Sequence, residues 1–460
     1  MASKTKYMII VTIAVTMASG GLYWLFRGNS KFQQYESSTY SSKGTKRTTE
    51  LGTAVKGKHS SDKEMNIMMT DPAMSQKWGL ALTNAPKAWE KLKTRGEGVV
   101  VAIIDTGIDV RHPDLQNNLW INPGETGFDK DGKNKATNGK DDDGNGYADD
   151  VHGWNFVSEN GDLTDNHGHG THIAGIIAAE GGNGIGVSGV APKAKILALK
   201  YYDPSAPGVN NLKNTIRAIQ YAINLKQKGL IDNLIINYSG GGLEPSSEEQ
   251  KVVDLARKNG VLFIAAAGNE RANSDQKPYF PADYDLDNII SVTAIDKDRN
   301  VLPSSNFGER SVDLAAPGNN IYSTLPKGAY GFMTGTSQAT AFVTGVAALI
   351  MAHNNEYKPS HIRRYLTMTG DLDPKLDGKT IYQKRLNTYN ALTTLDQGVG
   401  LTGVIAENSV NMNRFEFASD PQAKVKEQES KQANEGKIVL SGRAIMEKVI
   451  KASTPDKPKL

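Results

Sequence analysis

The chain has 460 residues, with 53 lysines and arginines against 50 aspartates and glutamates, and its net charge of +3 gives no electrostatic argument for a nucleic-acid partner. It holds no cysteine, which excludes thiol nucleophiles, zinc–thiolate sites and disulfide staples together. Its 46 glycines cluster between apolar runs, the composition of a loop-rich α/β enzyme rather than a helical bundle.

Residues 1–26 come first. Behind Lys4 and Lys6, the run from Tyr7 to Phe26 carries no charge and has the length of about 20 residues that crosses a bilayer as helix. It reads as a signal peptide or membrane anchor, and implies an extracytoplasmic protein, membrane-anchored or secreted. Residues 27–70, rich in Ser, Thr, Lys and Gly, read as a flexible stalk or short propeptide. Residues 71–396 alternate apolar runs with helical patterns, and residues 397–460 return to polar composition and read as a mostly disordered tail.

Within 71–396 the runs "VVVAIID" (99–105), "KILALK" (195–200), "NLIINYS" (233–239), "VLFIAAAG" (261–268) and "IISVTAI" (289–295) are short and apolar, as strands buried on both faces are. Between them, Leu212, Ile216, Ile219 and Ile223 recur at helical spacing. "SSEEQKVVDLARKNG" opens on a serine cap and closes at glycine. Strand alternating with helix predicts an α/β fold: a doubly wound, mostly parallel sheet with helices on both faces. Functional groups are then expected at the carboxyl ends of strands.

Four fragments carry chemistry. Asp105 ends the first strand, where an aspartate serves equally as a turn or cap. In "DNHGHGTHIAG" three of the chain's eight histidines fall within six residues. His169 and His172 would share a helix face, but no glutamate stands between them in the zincin arrangement, which counts against a metallohydrolase. Ser337 opens the apolar helix of "GTSQATAFVTGVAALIMA", where unpaired N–H groups favour an anion, or where a serine merely caps. Asn269 ends the strand of "AAAGNE" and offers an amide to an oxyanion or to a turn. Together they supply an acid, a base, a nucleophile and an oxyanion donor.

"DTGID", "HGTHIAG", "AAGN" and "GTSQAT", in that order, resemble the motifs of the subtilisin-like serine proteases, over roughly Asp71 to Asp396. The resemblance implies a serine endopeptidase in which Asp105 orients His169, His169 takes the proton of Ser337, and Asn269 holds the oxyanion with the Ser337 N–H. It assigns Ser239, Gly240 and Gly241 to pairing with an extended polypeptide substrate, and Ala266 to Gly268 to the pocket for the residue before the cut. His172 is then a packed helix residue, and His167 a loop residue at the mouth of the site. The chain departs from the family at Gly240, where a larger apolar residue is common, so a wider subsite is expected. It departs again at Gln338 and Ala341, in place of Met and Pro, and Gln338 is expected to change the polarity on the leaving-group side. No stretch before Asp71 resembles the family's folded prodomain. These departures leave one alternative of another class, a catalytically silent surface binding module on the same fold.

Calcium is the expected cofactor and the substitute for disulfides. In "NGKDDDGNGYADDVHGWNF", Asp141, Asp143, Asn145, the Tyr147 carbonyl and Asp150 place oxygen atoms at the spacing a hard cation takes, the alternative being a merely solvated acidic turn. The family resemblance implies a second site, from Asp71, Asp114, Asn183 and the carbonyls of Ile185 and Val187.

Overall fold

The computed structural model describes residues 71–394 apart from residue 93. The expected anchor, stalk and tail lie outside the described residues.

Eleven strands are described: β1 (Val99–Asp105), β2 (Gly153–Asn155), β3 (Lys195–Lys200), β4 (Asn233–Tyr238), β5 (Leu262–Ala266), β6 (Ile289–Ile295), β7 (Leu314–Pro317), β8 (Ile321–Leu325), β9 (Ala329–Met333), β10 (Asp371–Leu372) and β11 (Lys384–Arg385). All but β8 and β9 join one sheet in the order β10-β11-β7-β6-β5-β4-β1-β3-β2, parallel except at β10–β11. The eight α-helices are α1 (Trp78–Leu82), α2 (Ala85–Lys91), α3 (His169–Ala178), α4 (Gly208–Gln227), α5 (Ser247–Lys258), α6 (Thr336–His353), α7 (Pro359–Thr369) and α8 (Thr388–Thr393).

The runs are continuously apolar because both faces of the sheet are covered. Along β1, Val99, Val101 and Ile103 enter the core shared with α3 and α6, while Val100, Ala102 and Ile104 enter the core shared with α4 and α5. The same alternation divides Leu262 and Ile264 from Phe263 and Ala265 on β5. Helix α6 is buried at every position from Thr336 to Met351, which is why its sequence is apolar all round. Helix α5 starts as its serine predicts: Ser246 Oγ accepts the Glu249 N–H at 3.3 Å.

β1 lies between β3 and β4, so the chain builds outward from β1 in both directions. Such a reversal leaves a crevice beyond the carboxyl ends of the central strands. Asp105 and the loops leaving β4 and β5 open into it.

Candidate active site

Asp105 is 3% exposed, and its Oδ1 accepts the Thr106 N–H at 2.8 Å. The same oxygen lies 2.7 Å from His169 Nδ1, so the end of β1 meets the first residue of α3. Gly170 permits this approach, since a Cβ there would press on the Gly107 carbonyl and lie 3.0 Å from Asp105 Cβ. Burial alone would hold the imidazole below its ordinary value. The Asp105 charge and hydrogen bond, with the Asp165 charge beyond, outweigh it and raise His169.

Asp165, which sequence reasoning did not single out, braces this pair. It is buried and accepts five donors: Thr106 Oγ1 at 2.9 Å, the N–H groups of His167, Gly168 and Thr171 at 3.0, 2.7 and 2.9 Å, and Thr171 Oγ1 at 2.7 Å. It therefore caps α3 from four residues before its start and ties it to the loop after β1. Thr106 Oγ1 completes the link by accepting the Gly170 N–H at 3.0 Å. An aspartate shortly before a helical run is an ordinary capping signal, and it stood in the sequence.

The other two histidines separate from the chemistry. His172 is fully buried, and its Nε2 lies 2.9 Å from the Ile321 carbonyl of β8. Burial, with His169 and Lys77 adding positive charge, lowers it to about 3, so it packs as a neutral ring. His167 is exposed, edge-on to His169 with centroids 6.2 Å apart.

Ser337 stands second in α6, 6% exposed. Its hydroxyl donates to the Ser239 carbonyl at 3.3 Å, and among the described residues no hydrogen bond joins it to His169. The Thr336 N–H donates to Asn269 Oδ1 at 3.0 Å, which commits that oxygen and leaves Nδ2 as the group with donors to offer. The Asn269 side chain is exposed beside Ser337. Gln338 is 2% exposed, so its polarity belongs to the interior and not to the cleft face.

Ser239, Gly240 and Gly241 leave β4 as a partly accessible strip, whereas Ala266 and Gly268 are buried. The wider subsite expected at Gly240 is absent. A Cβ there would run into Tyr201 Oη and lie 2.9 Å from Tyr238 Cζ, so two phenols fill the room the glycine leaves.

The acidic loop differs from its expected ligand set. Glu125, Asp143 and Asp150 bring one carboxylate oxygen each within 4.8 Å of one another. Asn122 Nδ2 joins Asp143 and Asp150 at 2.8 and 2.7 Å, and Asn145 Nδ2 does so at 3.2 and 2.7 Å. Glu125, fully buried, was missed because it lies 18 residues before Asp143 with no local signal. Asp141 instead turns outward and closes the loop, accepting the N–H groups of Asn145 and Gly146 at 3.0 and 2.7 Å. Tyr147 gives its N–H to Asn145 Oδ1 at 2.7 Å and packs its ring edge-on against Trp154 and Tyr221. Burial raises Glu125 and Asp150, and the Asp143 charge adds to both.

Asp71 and Asp114 are buried under the loop of residues 182–188. Asp71 accepts the N–H groups of Gly182 and Gly184 at 2.9 and 3.1 Å and Ser188 Oγ at 2.6 Å. Asp114 accepts Asn183 Nδ2 at 2.7 Å, the Val187 N–H at 2.9 Å and Tyr330 Oη at 3.2 Å, and burial raises it to about 6. Ile185 is exposed and donates its N–H to Asn183 Oδ1 at 3.0 Å. The residues expected at the second cation site do gather, but the contacts they make to the carboxylates are donors.

The family model described as "Subtilase family" matches residues 96–401. Thermitase of Thermoactinomyces vulgaris is 34% identical over 320 residues, covering 69% of this chain and 96% of its own. The major intracellular serine protease of Bacillus subtilis is 37% identical over 284 residues, covering 60% and 76%. Subtilisin-like protease 1 of Plasmodium berghei is 33% identical over 315 residues, 65% of this chain but only 50% of the relative's length. With these matches over a parallel sheet whose first strand ends in the Asp105–His169 contact, the chain belongs to the subtilase family, the subtilisin-like serine proteases.

Proposed function

We propose that the chain is an endopeptidase that cleaves extended polypeptides through an acyl-enzyme at Ser337. The observation that carries this reading is the 2.7 Å contact between His169 Nδ1 and Asp105 Oδ1. It commits Nδ1 to the carboxylate and leaves Nε2 to take the serine proton. Ser337 Oγ attacks the peptide carbonyl as His169 removes its proton, and His169 returns that proton to the leaving amine. Water then repeats the sequence on the acyl-enzyme. Asp105 stabilises the imidazolium throughout. Asn269 Nδ2 and the Ser337 N–H take the oxyanion, aided by the helix dipole of α6. The substrate pairs with Ser239–Gly241 as an added strand, and Ala266 and Gly268 wall the pocket for the residue before the cut. Substrate arrival turns the Ser337 hydroxyl from the Ser239 carbonyl toward His169, a tightening common when catalytic sites fill.

A fluorophosphonate probe tests the reading. It should label the full chain and fail on Ser337→Ala. Folded wild type that resists labelling would favour the silent binding module instead, and proteolysis that survives Ser337→Ala would refute the nucleophile.

Calcium is proposed at Glu125, Asp143 and Asp150. Three carboxylates held together need a compensating charge, and Asp143 Oδ1 is buried with no hydrogen-bond partner. Hard oxygen donors of this kind suit a hard cation, which when bound would cross-link the loop to the turn holding Glu125. At Asp71 and Asp114 a cation would have to displace the donors of the 182–188 loop, and buried Lys77 already brings positive charge to Asp114.

Export or membrane anchoring by residues 1–26 rests on their composition alone. Among the described residues no helix is long and apolar enough to cross a membrane. One relative bears a name that marks it as intracellular, so family membership does not decide the compartment. Fractionation of cells expressing the full chain and a variant lacking residues 1–26 tests the proposal. Equal distribution of the two would refute it.

A further inference from the structure

The wall of the pocket before the cut is not open. The ring of Tyr279 lies between the two backbone runs assigned to substrate. A Cβ on Gly268 would lie 2.9 Å from its Cγ, and one on Gly241 would lie 2.9 Å from its Cζ. The ring therefore spans the gap from one glycine to the other, using the room that both leave by having no side chain.

Its backbone is pinned there. The Gly242 N–H donates to the Phe280 carbonyl at 2.9 Å, and the Phe280 N–H returns the bond to Gly242 at 2.8 Å. The Tyr279 N–H donates to Asp283 Oδ2 at 2.6 Å. Moving the ring out by shifting its loop would break all three.

The attacked carbonyl must lie between Ser337, whose hydroxyl rests on the Ser239 carbonyl at 3.3 Å, and Asn269, the residue after Gly268. The side chain on that carbonyl's residue then points into the gap between Ser239–Gly241 and Ala266–Gly268, and meets the Tyr279 ring. We propose that Tyr279 is the floor of this pocket and makes the enzyme cleave after small residues such as alanine, excluding leucine and phenylalanine. The inference rests on the peptidase reading above and deepens it.

One group competes for the role. Glu270 Oε2 also stands against Gly268 and accepts Asn306 Nδ2 at 2.7 Å. If this carboxylate rather than the ring set the preference, lysine would be favoured before the cut.

The test uses the full chain and tetrapeptide anilides that differ only in the last residue, Ala, Leu, Phe or Lys. Wild type should give the highest kcat/KM with Ala, at least about tenfold above Phe. Tyr279→Gly should raise Phe relative to Ala by at least about 10- to 200-fold, the range that a single methylene of pocket space commands. Tyr279→Phe, which keeps the ring, should keep the ranking. Wild-type preference for Leu, Phe or Lys would overturn the assignment without any variant, so a misfolded Tyr279→Gly does not shield it. An unchanged ranking in folded Tyr279→Gly would overturn it as well. Fluorophosphonate labelling run in parallel separates the two readings. If Ser337 labels but the ranking is wrong, only the Tyr279 assignment falls; if folded protein does not label, the peptidase reading falls and takes this inference with it.

Discussion

The backbone N–H of Thr336 donates to Oδ1 of Asn269 at 3.0 Å, joining the first residue of α6 to the loop that leaves β5. The bond orients the amide, because an oxygen engaged on one side puts the NH2 group on the other. If Asn269 is the oxyanion donor proposed above, that donor is fixed before substrate arrives, which is the condition under which such a donor lowers a barrier. Asn269→Ala should reduce kcat by about 10²- to 10³-fold while KM changes by less than about threefold. Steady-state kinetics normalised by active-site titration measure this; a kcat within about threefold of wild type would remove Asn269 from the mechanism.

His169 titrates above its ordinary value because the Asp105 and Asp165 charges outweigh burial. As the proposed general base it would work only when neutral, so the acid limb of kcat/KM should have its midpoint above about 6.5. The same shift has a stability side. The contribution of His169 is fully present below the unfolded value near 6.5 and is lost as pH rises through the folded value. Asp165→Asn removes one negative charge and one pair of lone-pair acceptors, so it should move the acid limb to lower pH and lower stability by about 1–3 kcal/mol. A purely structural role for Asp165 would lower the melting temperature and leave the limb where it was.

The sheet and the helix starts that carry His169 and Ser337 were legible in the sequence for one reason: each sits in a segment whose signal is local. β1, β3 and β6 occupy the residues that their apolar runs mark, because burial on both faces leaves no polar position to blur them. His169 and Ser337 were readable as helix starts for the same reason. Glu125, Tyr279 and Tyr201 were not, since each meets residues far along the chain and sits in a single helical turn, a loop or a strand end too short to carry a pattern. The hairpin of β8 and β9 escaped notice too. β9 is exposed or half-buried along its length, yet the mostly buried β8 beside it seats His172 and accepts α3 through Ser323 and Thr324, which donate to the carbonyls of His172 and Thr171 at 2.9 and 2.6 Å.

Calcium at Glu125, Asp143 and Asp150 would neutralise carboxylates that burial now holds together at a cost. At a concentration 100 times its dissociation constant it should stabilise the fold by about 2.7 kcal/mol. Excess chelator should then lower the melting temperature and speed self-digestion. Asp143→Asn should melt at a temperature that chelator barely changes, because the buried oxygen left without a partner is the one removed. Calorimetry of both proteins with and without chelator checks this. A wild-type melt that ignores chelator would count against the site.

Gly170 tests whether the contact between strand end and helix start sets the rate. In a helix interior, alanine for glycine ordinarily gains about 0.5–1 kcal/mol. Here the added Cβ meets the Gly107 carbonyl, with Asp105 Cβ at 3.0 Å and Asp105 Oδ1 at 3.2 Å, so α3 must back away from β1. Gly170→Ala should therefore destabilise by about 1–3 kcal/mol. It should also cost up to about 100-fold in kcat, because the lost approach stretches the 2.7 Å pair of His169 and Asp105. Gly208, the exposed first residue of α4, has no atom within 4 Å of an added Cβ and is the control. Gly208→Ala should raise the melting temperature slightly and leave kcat unchanged. If Gly170→Ala behaves like the control, the helix tolerates a Cβ at the strand end, and close approach there is not what holds His169 to Asp105.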